Sequence, residues 1–346
     1  MTGLPGLVYE AVPGFEDHLE AELAAASGSN AADFSNIPET VIPVPEGGPF
    51  CRYGPALYRA PALSAASPVF WYRNAWLKPF TLEFSSIAEA ARALRNIQRN
   101  WASVPFTRFR RAALIQEKLP PLPRRKRTFP WQVPAAPMGA WTLLDDHRLI
   151  ASALCSSPFP GGVIEFEEDK NGPPSRAYLK LWEALTLAAF WGTPPPGPGS
   201  RCLDAGASPG GWTWALLRLG AEPAAVDRAP LDERVAAMPA LRFIRHDAFT
   251  LKPEDLGPLD WLFCDAAVYP PRLYRWIETW LASGLCKNYM CTIKMQGVLR
   301  PGVTQSGGSG AGVPDFDTPR RFAAIPGSRV VHLYHNKHEL CWIKCT

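Results

Sequence analysis

Residues 203–212 read Leu-Asp-Ala-Gly-Ala-Ser-Pro-Gly-Gly-Trp, and no other stretch of the chain restricts its fold as much. A short apolar run ends near Asp204, a turn of small residues follows, and a helical pattern begins near Trp212. Glycine lets such a turn take left-handed backbone and brings main chain close to a ligand. Gly206, Gly210 and Gly211 supply that freedom, and Pro209 stiffens the turn. The spacing D-x-G-x-x-P-G-G-W departs from the G-x-G-x-x-G of dinucleotide-binding folds, which counts against a nicotinamide oxidoreductase.

The surroundings of this loop are regular. From residue 174 onward, apolar runs alternate with helical patterns. The pattern predicts strands at 201–205, 223–227, 241–246, 259–265, 288–294, 329–335 and 338–344. It predicts helices at 175–191, with Ser175 as N-cap, and at 212–219, 231–238, 271–283 and 316–325. Such alternation gives an α/β fold with a mainly parallel, doubly wound sheet of seven strands, ending in an antiparallel hairpin. Residues 302–314 read as a flexible glycine-serine loop. The first 170 or so residues lack this rhythm. A strand and a helix starting at Phe15 are expected within 7–26, aromatic strands within 67–85 and an amphipathic helix at 86–101, which together suggest α+β accessory structure.

Composition narrows the class. A chain of 346 residues, 47% hydrophobic and 20% charged, has core enough for two or three domains. It contains no apolar run of membrane-spanning length, and its N-terminus lacks the basic head and apolar core of a secretory signal, so a cytoplasmic location is expected. None of the eight cysteines forms C-x-x-C or pairs with His at zinc spacing. Cys202, Cys264, Cys291 and Cys341 fall in apolar runs and are expected in the core, with no disulfides. The net charge of +4 permits a nucleic-acid partner without requiring one. Between 108 and 127 stand Arg108, Arg110, Arg111, Lys118, Arg124, Arg125, Lys126 and Arg127 against the single acid Glu117. This is either a solvated, proline-broken loop or an arm that contacts phosphates.

Charged residues stand where open α/β sheets gather their ligands, at the ends of strands. Asp227 closes the second predicted strand, 21 residues after Gly206, where a carboxylate can accept from ribose hydroxyls. Asp247 follows the third strand and Asp265 ends the fourth. Any one of them could be a turn or capping residue. Lys294 closes the apolar run Tyr-Met-Cys-Thr-Ile-Lys, a costly place for an ammonium unless it reaches water. Glu339 lies beside Leu340 and Trp342 in the last strand and calls for a cationic partner. Lys180, inside the helix before the first strand, reads by itself as an ordinary surface lysine.

Taken in order, these residues resemble the FtsJ family of ribose 2′-O-methyltransferases. Pro174-Ser175-Arg176, Leu179-Lys180-Leu181, Cys264-Asp265, Trp280-Leu281, Gly284-x-Cys286 and Leu333-Tyr334-His335 carry the likeness beside the loop, over 173–344. The resemblance implies a class I, Rossmann-like methyltransferase domain with a Lys180-Asp265-Lys294-Glu339 tetrad. It implies S-adenosyl-L-methionine as cofactor, held by Asp204, Gly206, Ser208, Pro209, Gly210, Gly211, Trp212, Asp227 toward the ribose, Asp247 toward the adenine, and Asp265. No metal is implied. The partner would be RNA, as in members that methylate large-subunit ribosomal RNA. Pro13-Gly14-Phe15-Glu16 with Glu20-x-Glu22-Leu23 resembles the opening of THUMP-containing RNA methyltransferases. The implied domains are an accessory α/β domain at 1–95, a THUMP-like RNA-binding region at 96–172 with the basic proline-rich loop, and the methyltransferase domain at 173–346.

Lys294 would act either as a neutral base that takes the hydroxyl proton or as an ammonium that orients the hydroxyl, with Lys180 beside it and the two acids positioning both. Met295-Gln296-Gly297, the 302–314 loop and the 108–137 segment depart from the family pattern. The [DN]-P-P-[YF] of amino-group base methylases is absent, since Asp265 is followed by Ala266-Ala267-Val268-Tyr269. Cys264 and Cys291 lie inside their strands, unlike the nucleophile of a 5-methylcytosine enzyme. A cap or tRNA ribose methyltransferase, or a non-catalytic RNA-binding protein on the same fold, are the remaining alternatives.

Overall fold

The computed structural model describes residues 1–27, 50–61, 68–123, 125–295 and 316–346. Arg124, Gln296, Gly297 and the loop expected at 302–314 lie outside the described residues. The chain divides into two compact units, one of residues 1–127 and 133–165, the other of 128–132 and 166–346.

Among the described residues, the first unit holds two sheets. One runs Cys51–Arg52, Leu57–Ala60, Leu7–Ala11, Tyr72–Trp76, all antiparallel. The other runs Thr2–Gly3, Phe80–Glu83, Arg148–Ser152, Gly139–Leu143, Trp101–Ser103. Its strands come from both sides of residue 95, so the break expected at 95/96 does not separate two units. Trp101 and Trp141 fill the core between this sheet and the helices Ile87–Ile97 and Phe109–Glu117. Their indole N–H groups donate to Leu94 O at 2.9 Å and Gln116 Oε1 at 3.0 Å. The basic run begins as helix rather than loop. Ala112 and Ile115 bury one face of Phe109–Glu117 at helical spacing, Arg110 stays exposed, half-buried Arg111 lies over the Phe84 ring, and the prolines come only after residue 119.

The second unit is a seven-stranded sheet. Its strands are β1 (Arg201–Ala205), β2 (Glu222–Asp227), β3 (Arg242–Arg245), β4 (Leu259–Cys264), β5 (Cys286–Lys294), β6 (Ser328–Val331) and β7 (Glu339–Lys344). They lie in the order β3-β2-β1-β4-β5-β7-β6. The first five are parallel, and β7 is antiparallel to both β5 and β6, the terminal arrangement expected. Helices α1 (Tyr178–Phe190), α2 (Gly211–Arg218), α3 (Glu233–Ala236), α4 (Pro253–Leu256), α5 (Pro270–Ser283) and α6 (Asp317–Ala323) connect and cover it. Helix α1 starts three residues later than expected, capped by Ala177 in helical conformation rather than by Ser175. It is buried on every face from Tyr178 to Ala188. Among the described residues no helix is long and apolar enough to cross a membrane.

Candidate active site

The sheet register assembles the site at the edge where the parallel strands end. In the antiparallel pairing of β5 with β7, Lys294 lies directly opposite Glu339. On the other side of β5, Cys291 pairs with Cys264, the last residue of β4, so Asp265 emerges beside Thr292, two residues short of Lys294 and within reach of its side chain. Lys180 enters from the first turn of α1. The four side chains close a ring. Lys180 Nζ donates to Asp265 Oδ2 at 2.6 Å and Glu339 Oε1 at 2.8 Å. Lys294 Nζ donates to Asp265 Oδ1 and Glu339 Oε2, both at 2.6 Å. Charges alternate around it, so each carboxylate meets two ammonium groups and each ammonium two carboxylates.

These side chains are only 11–15% exposed, and such burial is affordable for charges only when every one is paired and hydrogen-bonded. Burial pushes the Asp265 carboxyl upward, but the Lys180 and Lys294 ammonium groups pull harder and hold it below the ordinary carboxylate range. Burial likewise pulls Lys294 down, and the Asp265 and Glu339 carboxylates outweigh it, leaving Lys294 above the ordinary lysine range. Lys294 is therefore an ammonium at neutral pH. An ammonium has three N–H donors, and the ring engages two on each lysine. Lys180 is no surface residue, as its helix is buried all round.

Next to the ring runs the glycine loop between β1 and α2. Gly206 has φ +78°, and a Cβ there would come within 2.5 Å of the Cβ of Ala266, the residue after Asp265. Gly206 N and Ala207 N both donate to Val226 O on β2. Ser208 N donates to Asp227 Oδ2 at 3.0 Å, and Ser208 Oγ donates to Pro230 O at 2.8 Å. Gly210, at φ +114°, opens α2. Asp204 and Trp212 brace the loop from within. Asp204 is 1% exposed and accepts from Thr213 Oγ1 at 2.6 Å, and burial pushes its carboxyl up to about 7. Trp212 Nε1 donates to Ala177 O at 2.8 Å, fastening α2 to the start of α1. Asp247 accepts from Phe249 N at 3.0 Å and pairs with Arg272 at 3.4 Å, while the Arg272 guanidinium lies over the Phe249 ring.

The structure thus gathers the loop, Asp227, Asp247, Asp265, Lys294 and Glu339 on one edge of the sheet, with Lys180 reaching that edge from α1. Sequence reasoning passed over two partners. Thr292 Oγ1 donates to Asp265 Oδ1 at 2.7 Å. It stands two residues before Lys294 on the same face of β5, and the period of two could have shown it. Thr213, the partner of Asp204, gives no comparable signal. Among the described residues, no group of three His, Cys, Asp or Glu side chains is placed to hold a metal ion.

Residues 173–304, all within the second unit, match the family described as FtsJ-like methyltransferase. This family works with S-adenosylmethionine. Two curated relatives, from Xanthomonas axonopodis pv. citri (strain 306) and Xanthomonas campestris pv. campestris (strain B100), both carry the name ribosomal RNA large subunit methyltransferase M. They are 33% identical to this chain over 215 and 216 residues, which is 60% of this chain and 57% of theirs. The matched part is thus little more than half the length of those relatives. The solved structure of TrmN from Thermus thermophilus covers 98% of this chain and 99% of its own, at 17% identity and a TM-score of 0.31, too low for any argument to rest on it.

Proposed function

We propose that this chain is an S-adenosylmethionine-dependent RNA methyltransferase that acts on a ribose 2′-hydroxyl, with large-subunit ribosomal RNA as substrate. The closed ring of Lys180, Asp265, Lys294 and Glu339 against the glycine loop carries the reading. The FtsJ-like match and the names of the Xanthomonas relatives support the substrate class. A cytoplasmic location goes with this reading.

The loop residues fit the cofactor. Gly206 keeps clear the space against Ala266 that a Cβ would fill. Gly206, Ser208, Pro209, Gly210 and Gly211 would hold it with backbone, over the brace of Asp204 and Trp212. Asp227 would accept from ribose hydroxyls, and Asp247 would face the adenine side. S-adenosylmethionine supplies a methyl group on an electrophilic sulfonium, so the proposed reaction calls for no metal.

Lys294 is held as an ammonium, which favours the orienting role over that of a resting base. One N–H of Lys294 and one of Lys180 remain after the ring bonds are counted, and both would point to the 2′-oxygen. They would fix its lone pair in line for attack and stabilise the negative charge that develops on it, while the hydroxyl proton passes to water in the same step in which the O–CH3 bond forms, the S–CH3 bond breaks and S-adenosylhomocysteine leaves. Asp265 and Glu339 hold both ammonium groups in place. The test is the single-turnover rate against pH, for wild type and Lys294→Arg. An oriented hydroxyl gives a wild-type rate nearly level from about pH 6.5 to 9; a rise of about tenfold per pH unit across that range would show that neutral Lys294 is the working form.

The first unit would recognise the RNA as a THUMP-like module. Phe109 is 64% exposed between Arg108 and Arg110 at the start of its helix, a combination suited to base stacking and phosphate contact.

A further inference from the structure

Helix α1 carries one acid, on the face of Lys180. Glu183 lies three residues further on, close to one helical turn, and is 2% exposed. Its carboxylate is not part of the charged ring. It accepts instead from three donors on the segment between β6 and β7: Tyr334 N at 2.8 Å, His335 N at 3.1 Å and His335 Nδ1 at 2.7 Å. That segment runs straight into Glu339, four residues after His335. Two further bonds hold it: His332 Nε2 meets Lys337 O at 3.1 Å, and Met295 N, next to Lys294, donates to His338 O at 3.0 Å.

We propose that Glu183 is a positioning residue that sets the spacing of the ring, by locking the helix that carries Lys180 to the segment that delivers Glu339. The physical reason is that Lys180 and Glu339 belong to different elements. A ring closed at 2.6–2.8 Å needs its two carriers fixed to a fraction of an ångström, and long side chains cannot supply that. A buried carboxylate receiving two backbone N–H groups and an imidazole is a short, stiff link, because any shift of the segment would strand its charge without partners. The ring of Phe166 lies 5.9 Å from that of His335, inclined by 29°, and closes over the link.

This inference rests on the proposed methyl transfer, since positioning matters only if the ring acts on a substrate, but the lock can also be read without turnover. Glu183→Gln, Glu183→Ala and His335→Gln are compared with wild type as full-length chains. Four quantities are read: thermal midpoint, S-adenosylmethionine affinity, single-turnover rate, and the side-chain NMR signals of selectively labelled lysines. The expected result for Glu183→Gln is a folded protein with cofactor affinity within about twofold of wild type. Its transfer rate should be lower by about 10²-fold, as befits a misplacement near 1 Å, and the Lys180 and Lys294 signals should be shifted and broadened. His335→Gln, which removes only one of the three bonds, folds even if the Glu183 variants do not, and it shows the same changes to a smaller degree. Folded variants with wild-type lysine signals and a wild-type rate would overturn the proposal. If wild type transfers no methyl group to ribose while the lysine signals still respond to Glu183, the lock stands and the functional reading falls.

Discussion

Each member of the ring is tolerable in its buried place only because the others are there. Lys180→Met leaves two buried carboxylates facing one ammonium, a loss that costs about 3 kcal/mol in comparable buried pairs. Chemical denaturation should show that loss, together with collapse of methyl transfer; a variant as stable as wild type would mean the ring is open in solution. The pH dependence has a definite sign. Asp265 is held low, so its stabilisation is present above about pH 3.9 and fades as acid protonates it. Lys294 is held high, so its share is intact below about pH 10.4 and fades only as pH rises through its raised value. Asp204 behaves in the opposite way. Burial raises it to about 7, so the folded state holds a proton that the unfolded chain releases near pH 4, and stability falls as pH climbs between those values. Asp204→Asn removes that penalty. Relative to wild type it should gain about 2–4 kcal/mol at pH 8 and little at pH 4, and an offset equal at both pH values would contradict the buried, proton-bearing carboxyl.

At the scale of elements, the loop between β1 and α2 is the most constrained. Gly206→Ala must place a Cβ within 2.5 Å of Ala266 Cβ from left-handed backbone. A cost of about 1–3 kcal/mol is expected, with at least tenfold weaker S-adenosylmethionine binding by calorimetry; unchanged affinity would remove the loop from the cofactor site. This part of the fold was legible in the sequence because parallel strands are continuous apolar runs separated by turn residues. Asp227, Asp265 and Lys294 stand at strand ends as the pattern placed them, and β7 opens with Glu339 within one residue of the expected start. The role of Lys180 was legible only through the family resemblance. Its helix is buried on all sides, so no polar face marks the lysine as unusual, and its partners lie 85 and 159 residues away. The first unit was poorly legible for a related reason. Thr2–Gly3 pairs with Phe80–Glu83, which pairs in turn with Arg148–Ser152, and strands this short and distant leave no local signature. In the basic run, charge concealed the buried pair Ala112 and Ile115, which make its first part a helix.

The whole molecule joins a unit with a basic, aromatic-bearing helix to a unit with a buried ring of alternating charge. If the first unit holds RNA through phosphates, RNA affinity should fall steeply with salt. Arg110→Glu should then weaken binding and flatten the slope of log K against log salt by about one phosphate contact, with cofactor affinity unchanged; an unaltered slope would move the RNA surface elsewhere. The central claim is that Lys180, Asp265, Lys294 and Glu339 orient a ribose 2′-hydroxyl for direct methyl transfer from S-adenosylmethionine. Its most direct test gives wild type and Lys294→Ala labelled S-adenosylmethionine and unmodified large-subunit RNA, digests the RNA to nucleosides and locates the label. The account predicts a 2′-O-methylated nucleoside from wild type and none from Lys294→Ala, which still binds the cofactor. Label on a nucleobase, or an equal yield from the variant, would contradict it.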